Sequence, residues 1–355
     1  MLPPGETPAK AAQGAAPPAV SAGRRPADAA PSLPADLTYV VIGSSGWLGR
    51  AAIDLLTDVF GADTSQRIRA FGSTRGVVPL RNGDQLPVAP LSALADLPRG
   101  ERHLILHLAF ITRDRLASTG HGAFIAGNEA IRRTVIEAAA GLDVAGLFLP
   151  SSGAVFGAGR TIEADPARNP YGAMKLRDEE DFALLAWRRG FPVTIARIFN
   201  LAGPHINKLD TYALASILTA ALNGGPIRIR ASHPVMRSYA DVRDVLDVAL
   251  ASLLVRERPP VVMFETAGER EIEIGALARL AVKTIGGDIA IERAEMAAGP
   301  VDRYVGEGDA YFALAERHNI RLRPLAEQIA DTAAFLRNRP HGHGTADTTL
   351  REGRG

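Results

Sequence analysis

Tyr39-Val40-Val41-Ile42-Gly43-Ser44-Ser45-Gly46-Trp47-Leu48-Gly49 decides how the rest of this chain is read. Its first four residues make a short apolar, largely β-branched run, the pattern of a buried strand. Gly43 then permits a tight turn, Gly46 lets backbone approach a pyrophosphate, and Gly49 allows a helix to pack closely on the strand. A helix starting there aims unpaired N–H groups at phosphate oxygens. A G-x-x-G-x-x-G string by itself also suits an ordinary strand-to-helix turn. Its place directly after an apolar strand points to dinucleotide binding by Gly43, Ser45, Gly46, Trp47, Leu48 and Gly49.

Working outward, strand and helix signals alternate. Ala51–Phe60 carries apolar residues at helical spacing, and Arg67–Phe71 and Leu104–Leu108 look like further strands. Phe124–Ala140 is helical, Gly146–Pro150 strand-like, Tyr171–Arg189 a long helix and Val193–Ala196 another strand. Apolar strands alternating with amphipathic helices predict an α/β, Rossmann-type doubly wound parallel sheet covered on both faces. Past Asn200 the pattern loosens, with helices expected near Leu209–Leu222, Val242–Leu254 and Ile274–Val282. The expected organisation is a loose Ala/Pro-rich tail over residues 1–36 and a dinucleotide domain over 37–200. A smaller substrate-binding α/β region follows over 201–337, some of it returning to the first sheet, and then a second tail over 338–355.

Composition removes whole classes of function. The 355 residues hold 40 Lys+Arg against 39 Asp+Glu, a net charge of +1 that gives no general field for nucleic acid or an anionic membrane. There is no cysteine, hence no disulfide, thiolate metal site or thiol nucleophile, and a cytoplasmic location is expected. No apolar run approaches the ~20 residues that span a bilayer. The histidines form no H-x-x-x-H pair, so no metal is expected.

The end of the second strand selects the dinucleotide. An acid there would hold the adenosine ribose hydroxyl, but the chain reads Phe71-Gly72-Ser73-Thr74-Arg75. Ser73 and Arg75 suit a 2′-phosphate, so NADP is preferred over NAD. Further on, Tyr171-Gly172-Ala173-Met174-Lys175 sets a phenol and an ammonium on one helical face at i and i+4. A cation near the phenol would lower its pKa from ~10 and make it a usable acid–base group. Ser152, after the Gly146–Pro150 strand, lies where parallel strands end and ligands bind. The run Asp178-Glu179-Glu180-Asp181 reads as the solvated face of the Tyr171 helix.

Together these residues resemble the extended short-chain dehydrogenase/reductases, specifically the NAD(P)-dependent epimerase/dehydratase family acting on nucleotide sugars, from about Thr38 to Phe335. The resemblance makes Ser152, Tyr171 and Lys175 the catalytic set. It places His107, Leu108, Ala109 and Asn128 beside the cofactor with Tyr171 and Lys175. It assigns Ser152, Asn200 and Arg237 to the substrate, with Asn200 and Arg237 at a sugar-nucleotide diphosphate. It also implies a homodimer through the two long helices. Hydride transfer at C4 of a nucleotide-activated hexose is the implied reaction, as epimerase or 4-keto reductase. The chain has Gly153 and Ala154 where the family's dehydratases carry an Asp-Glu pair, which speaks against water elimination. The alternatives are an oxidoreductase of a non-sugar alcohol and a dinucleotide-binding sensor without turnover.

Overall fold

A computed structural model describes residues 33–297 and 299–339. Its strands run β1 (Thr38–Ile42), β2 (Ile68–Gly72), β3 (Gly76–Pro79), β4 (Gln85–Pro90), β5 (Arg102–His107), β6 (Asp143–Ser152) and β7 (Val193–Ile198). They continue through β8 (Asn200–Ala202), β9 (Ile227–Ile229), β10 (Val235–Arg237), β11 (Tyr239–Asp241), β12 (Val261–Glu265), β13 (Ile272–Glu273), β14 (Ile291–Arg293) and β15 (Asp302–Tyr304). The helices are α1 (Trp47–Phe60), α2 (Thr64–Arg67), α3 (Leu116–Thr119), α4 (His121–Gly141) and α5 (Pro170–Arg189). After them come α6 (Ala213–Leu222), α7 (Val242–Leu254), α8 (Ile274–Ile285), α9 (Asp309–Arg317) and α10 (Leu325–Arg337).

Eight strands form one sheet in the order β12-β7-β6-β5-β1-β2-β4-β3, parallel throughout except for the β3–β4 hairpin. The Rossmann-type fold read from the sequence is therefore the one observed. The hairpin was not read from the sequence. Its Gly76–Pro79 arm buries only Val78 and gives little alternation to detect.

Period-2 alternation between two covered faces explains why Tyr39–Ile42 of β1 are all apolar. Tyr39 and Val41 pack on one face with Ile53 and Leu56 of α1 and Val245 of α7. Val40 and Ile42 pack on the other with Val135 of α4 and Phe182 of α5. Both faces are covered, so each position removes apolar surface from water. A third cluster gathers Leu214, Leu218, Leu277 and Ile329 from α6, α8 and α10. Meanwhile α7 and β12 rejoin the large sheet and its core, although they follow Asn200 in the chain.

Of the two expected tails, residues 1–32 and 340–355 lie outside the described residues. Leu33, inside the expected first tail, is buried in the core, and Pro34 O accepts a hydrogen bond from the Tyr39 hydroxyl at 3.0 Å.

Candidate functional site

The strand order reverses between β1 and β5, and such a switch point opens a crevice at the carboxyl ends of the strands. Gly43 leaves β1 there with φ +90°, and a Cβ on it would lie 2.6 Å from Ala109 N and 2.7 Å from the Leu108 carbonyl carbon. At Gly49 a Cβ would stand 2.1 Å from Gly43 O. Both glycines are thus required, one by conformation and contact, the other by contact alone. Gly46 caps α1 without a side-chain hydrogen bond, leaving backbone N–H groups at the helix start for an anion. The indole of Trp47 donates to Pro204 O at 2.7 Å, so its side chain ties α1 to the following region. Ser45 is exposed and Leu48 partly buried beside this turn. This cradle fits a dinucleotide pyrophosphate. Ser73 and Arg75 are exposed beyond the end of β2, and Arg75 has no hydrogen bond or ion pair among the described residues.

Around β5 the assignments divide. Leu108 N bonds Ile42 O at 2.8 Å and Ala109 abuts Gly43, so their backbone forms the cradle wall. His107 faces inward, its ring 4.9 Å from that of Phe182. Burial, then Lys175, pushes its pKa down to about 3, so it is a neutral core group. Asn128 accepts from Ile111 N at 2.8 Å and donates to Ile111 O and Phe124 O, bracing the loop after β5.

Asn169 caps α5 by accepting from Gly172 N at 3.0 Å, and Pro170 opens the helix. This start aims Tyr171 and Lys175 at the end of β6. Lys175 Nζ donates to Pro150 O at 2.9 Å and lies 3.8 Å from the centroid of the Phe110 ring. Burial lowers its pKa to about 8, against the opposing pull of Asp178 and Glu179. Tyr171 meets Phe110 edge-on at 5.5 Å. Its pKa is raised, not lowered as the sequence reading expected. Burial dominates, the Ser152 hydroxyl beside it pulls the other way, and Tyr304, Tyr212 and Asp114 add to the rise. Ser152, Tyr171 and Lys175 are therefore brought together, with the phenol held protonated.

Three further expectations meet different geometry. Asp178 and Glu179 are buried, contrary to the reading of a solvated face. Asp178 pairs with Arg132 at 3.5 Å, while Glu179 accepts from the Ser151 hydroxyl and from Arg197 at 3.0 and 2.7 Å. The signal was present: 178, 179, 182 and 186 continue the helical face that begins at 171 and 175. Asn200 donates to Ser238 O and Tyr304 O at 3.2 and 3.0 Å. Arg237 makes a fork with Asp302, at 3.2 and 2.9 Å, and its side chain is 19% exposed.

The sequence reading missed Phe110, the floor beneath Tyr171 and Lys175, and Lys208, which bonds Thr112 Oγ1 at 2.7 Å and Asp114 across the crevice. It also missed Tyr304, whose hydroxyl lies 3.3 Å from Ser152 Oγ. No local pattern marks these residues: Phe110 follows directly on Ala109, Lys208 comes from the loop after β8, and Tyr304 ends β15, far along the chain.

Comparisons with known proteins agree with this architecture. A UDP-N-acetylglucosamine 4-epimerase from Methanobrevibacter ruminantium superposes with a TM-score of 0.67 at 16% identity, covering 85% of this chain and 98% of that one. A UDP-glucose 4-epimerase from Thermus thermophilus in complex with NAD gives 0.63 at 16% identity over 85% and 99%. A dTDP-glucose 4,6-dehydratase from Streptomyces venezuelae with NAD bound gives 0.63 at 18% over 85% and 97%. No curated protein matches the chain by sequence. Residues 39–262 match the profile of the NAD dependent epimerase/dehydratase family, from the first strand of the cradle to the start of β12, and the chain belongs to that family.

Proposed function

We propose that this protein is an NAD(P)-dependent nucleotide-sugar epimerase or 4-keto reductase acting at C4 of an activated hexose. The observation that carries the reading is the convergence of Ser152, Tyr171 and Lys175 at the end of β6, beside the Gly43–Gly49 cradle. A bound nicotinamide dinucleotide supplies the hydride chemistry. Tyr171 exchanges a proton with the sugar O4, Ser152 hydrogen-bonds that oxygen, and Lys175 faces the same space with an ammonium close to its titration point. Burial keeps the Tyr171 phenol protonated and a weak acid, so a charged partner that lowers its pKa is needed before it exchanges protons readily in either direction.

Water elimination is disfavoured on local grounds. A Cβ at Gly153 would lie 2.4 Å from the Phe199 ring, so a carboxylate side chain has no room there, and Ala154 carries none. The free Arg75 beside Ser73 supports NADP over NAD. The exposed Trp187 and Leu184 on α5 support a homodimer that pairs α4 and α5 with their copies. Among the described residues no helix is long and apolar enough to cross a membrane. A cytoplasmic location accords with this reading, since the cysteine-free chain needs no oxidising compartment.

The test uses purified protein and a panel of UDP-glucose, UDP-N-acetylglucosamine and dTDP-glucose. Tyr171→Phe is expected to lower turnover ~10²-fold or more with dinucleotide affinity preserved. Unchanged turnover would remove Tyr171 from the reaction. Stoichiometric retained cofactor with no steady NADPH consumption selects the epimerase, and continuous consumption selects the reductase.

A second reading, oxidoreduction of a non-sugar alcohol, draws support from Arg237 and Asn200, whose polar atoms are engaged inside the protein. If a diphosphate displaces Asp302 from Arg237, Arg237→Ala weakens UDP-sugar binding ~10-fold or more. Normal affinity in that variant would favour the non-sugar reading.

A further inference from the structure

We propose that Tyr304 is a positioning residue of this site, orienting the Ser152 proton toward the substrate oxygen. The inference rests on the functional reading above, because it concerns how Ser152 is set up for that reaction.

The argument is a count of hydrogen-bonding capacity. A serine hydroxyl offers one proton and two lone pairs. Ala154 N donates to Ser152 Oγ at 3.1 Å and occupies one lone pair. The Tyr304 hydroxyl stands 3.3 Å from the same oxygen. Burial raises the Tyr304 pKa above its ordinary value, outweighing the lowering by Ser152, Arg113, Arg237 and the Ala154 N–H, which faces both hydroxyls, so the phenol carries a proton that it can donate. Either hydroxyl can donate across this contact; in the proposed arrangement Tyr304 donates, both lone pairs of Ser152 Oγ are then taken, and the Ser152 proton points away from Ala154 and Tyr304. It is then free to be donated to an oxygen held near Tyr171. Without Tyr304, the Ser152 hydroxyl can rotate among acceptors.

The tertiary structure holds Tyr304 firmly in this place. Its ring lies 4.8 Å from that of Phe199. Its carbonyl accepts from Asn200 at 3.0 Å, and β15 pairs in parallel with β10 so that Tyr304 sits opposite Arg237. One residue on, Val305 O accepts from Arg160 at 3.1 Å, and Arg160 also binds Glu265 at 2.6 Å and reaches Glu307 at 3.4 Å. Arg160 itself adopts φ +58°, uncommon for a non-glycine residue, in the loop that follows Ser152. Asn200 and Arg237, expected at the substrate, thus brace the strand that carries a third hydroxyl to Ser152.

The test is a double-mutant cycle in the full chain with the UDP-sugar that turns over fastest. Tyr304→Phe keeps the ring on Phe199 and removes only the hydroxyl. It should lower kcat ~10-fold while KM and dinucleotide affinity stay within ~2-fold. In the Ser152→Ala background Tyr304→Phe should have no further effect, because Tyr304 acts only through Ser152. Independently of turnover, the ¹³Cζ resonance of Tyr304, identified by its loss in Tyr304→Phe, should shift in Ser152→Ala. An unchanged kcat, additive losses in the double variant, or an unmoved resonance would each overturn the inference. Tyr171→Phe, run alongside, separates the failures. If Tyr171→Phe abolishes turnover and Tyr304→Phe does not reduce it, only the role of Tyr304 falls. If Tyr171→Phe is also fully active, the underlying reaction falls and this inference with it.

Discussion

Lys175 is held in the interior against its own solvation. Its ordinary pKa of 10.5 falls to about 8, so between those values the unfolded chain binds more protons than the folded one. Stability therefore rises with pH across that window, and below pH 8 the whole penalty is present. The shift corresponds to about 3 kcal/mol, offset by about 1 kcal/mol for the bond to Pro150 O. Lys175→Met should accordingly raise the unfolding free energy at pH 7 by about 2 kcal/mol in urea titrations, with the gain fading toward pH 10, while turnover is lost. A gain that did not depend on pH would show that the amine is not the source. Stabilisation bought at the expense of activity is a frequent property of groups placed for chemistry. At this scale the sequence was a good guide to which residues the fold brings together and a poor guide to their ionisation. Residue type and spacing picked out Tyr171 and Lys175, but the sign of the phenol shift depended on how deeply the fold buries it.

Helix α5 shows what one element does with a single period. Its inner face carries Tyr171, Lys175, Asp178, Glu179, Phe182 and Ala186, running from the site to the core beneath the sheet. The acidic pair within it looked solvated in the sequence because four consecutive acids usually face water. Arg132 and Arg197, from α4 and β7, change that by meeting the two carboxylates in the interior. No local sequence pattern reports such partners. The outer face carries Leu184 and, 71% exposed, Trp187, three residues apart on one side of the helix. If this face meets a second copy, Trp187→Asp should convert dimer to monomer in analytical ultracentrifugation, leaving the melting behaviour of the monomer intact. A chain that sediments as monomer before the substitution would remove the dimer from the proposal.

For the whole molecule, the decisive arrangement is the attachment of the region after β8 to the dinucleotide cradle. Trp47 bonds Pro204 O, and His205 lies 2.6 Å from Asp54 of α1, which also pairs with Arg81 at 2.8 Å. Burial raises the Asp54 pKa, but the His205 hydrogen bond and the nearby positive groups outweigh it, and the net pKa lies below the ordinary 3.8. A depressed carboxylate contributes stability above its unfolded value that is lost as pH falls through the folded one. Thermal melts should therefore lose stability steeply below about pH 4, and Asp54→Asn should flatten that acid limb while lowering the melting temperature at pH 7. An acid limb unchanged by the substitution would assign it to other carboxylates. By itself, the sequence determined the sheet, the glycine cradle and the Ser152–Tyr171–Lys175 set. Each of these is written in local terms: a β-branched run, glycines where a Cβ would collide, a four-residue helical repeat. Only the tertiary structure decided that Asn200 and Arg237 brace Tyr304, that Glu179 is buried under Ser151, and that the phenol pKa rises. Those outcomes depend on contacts between residues far apart in the chain, where burial and partner charge, rather than periodicity, set the energy.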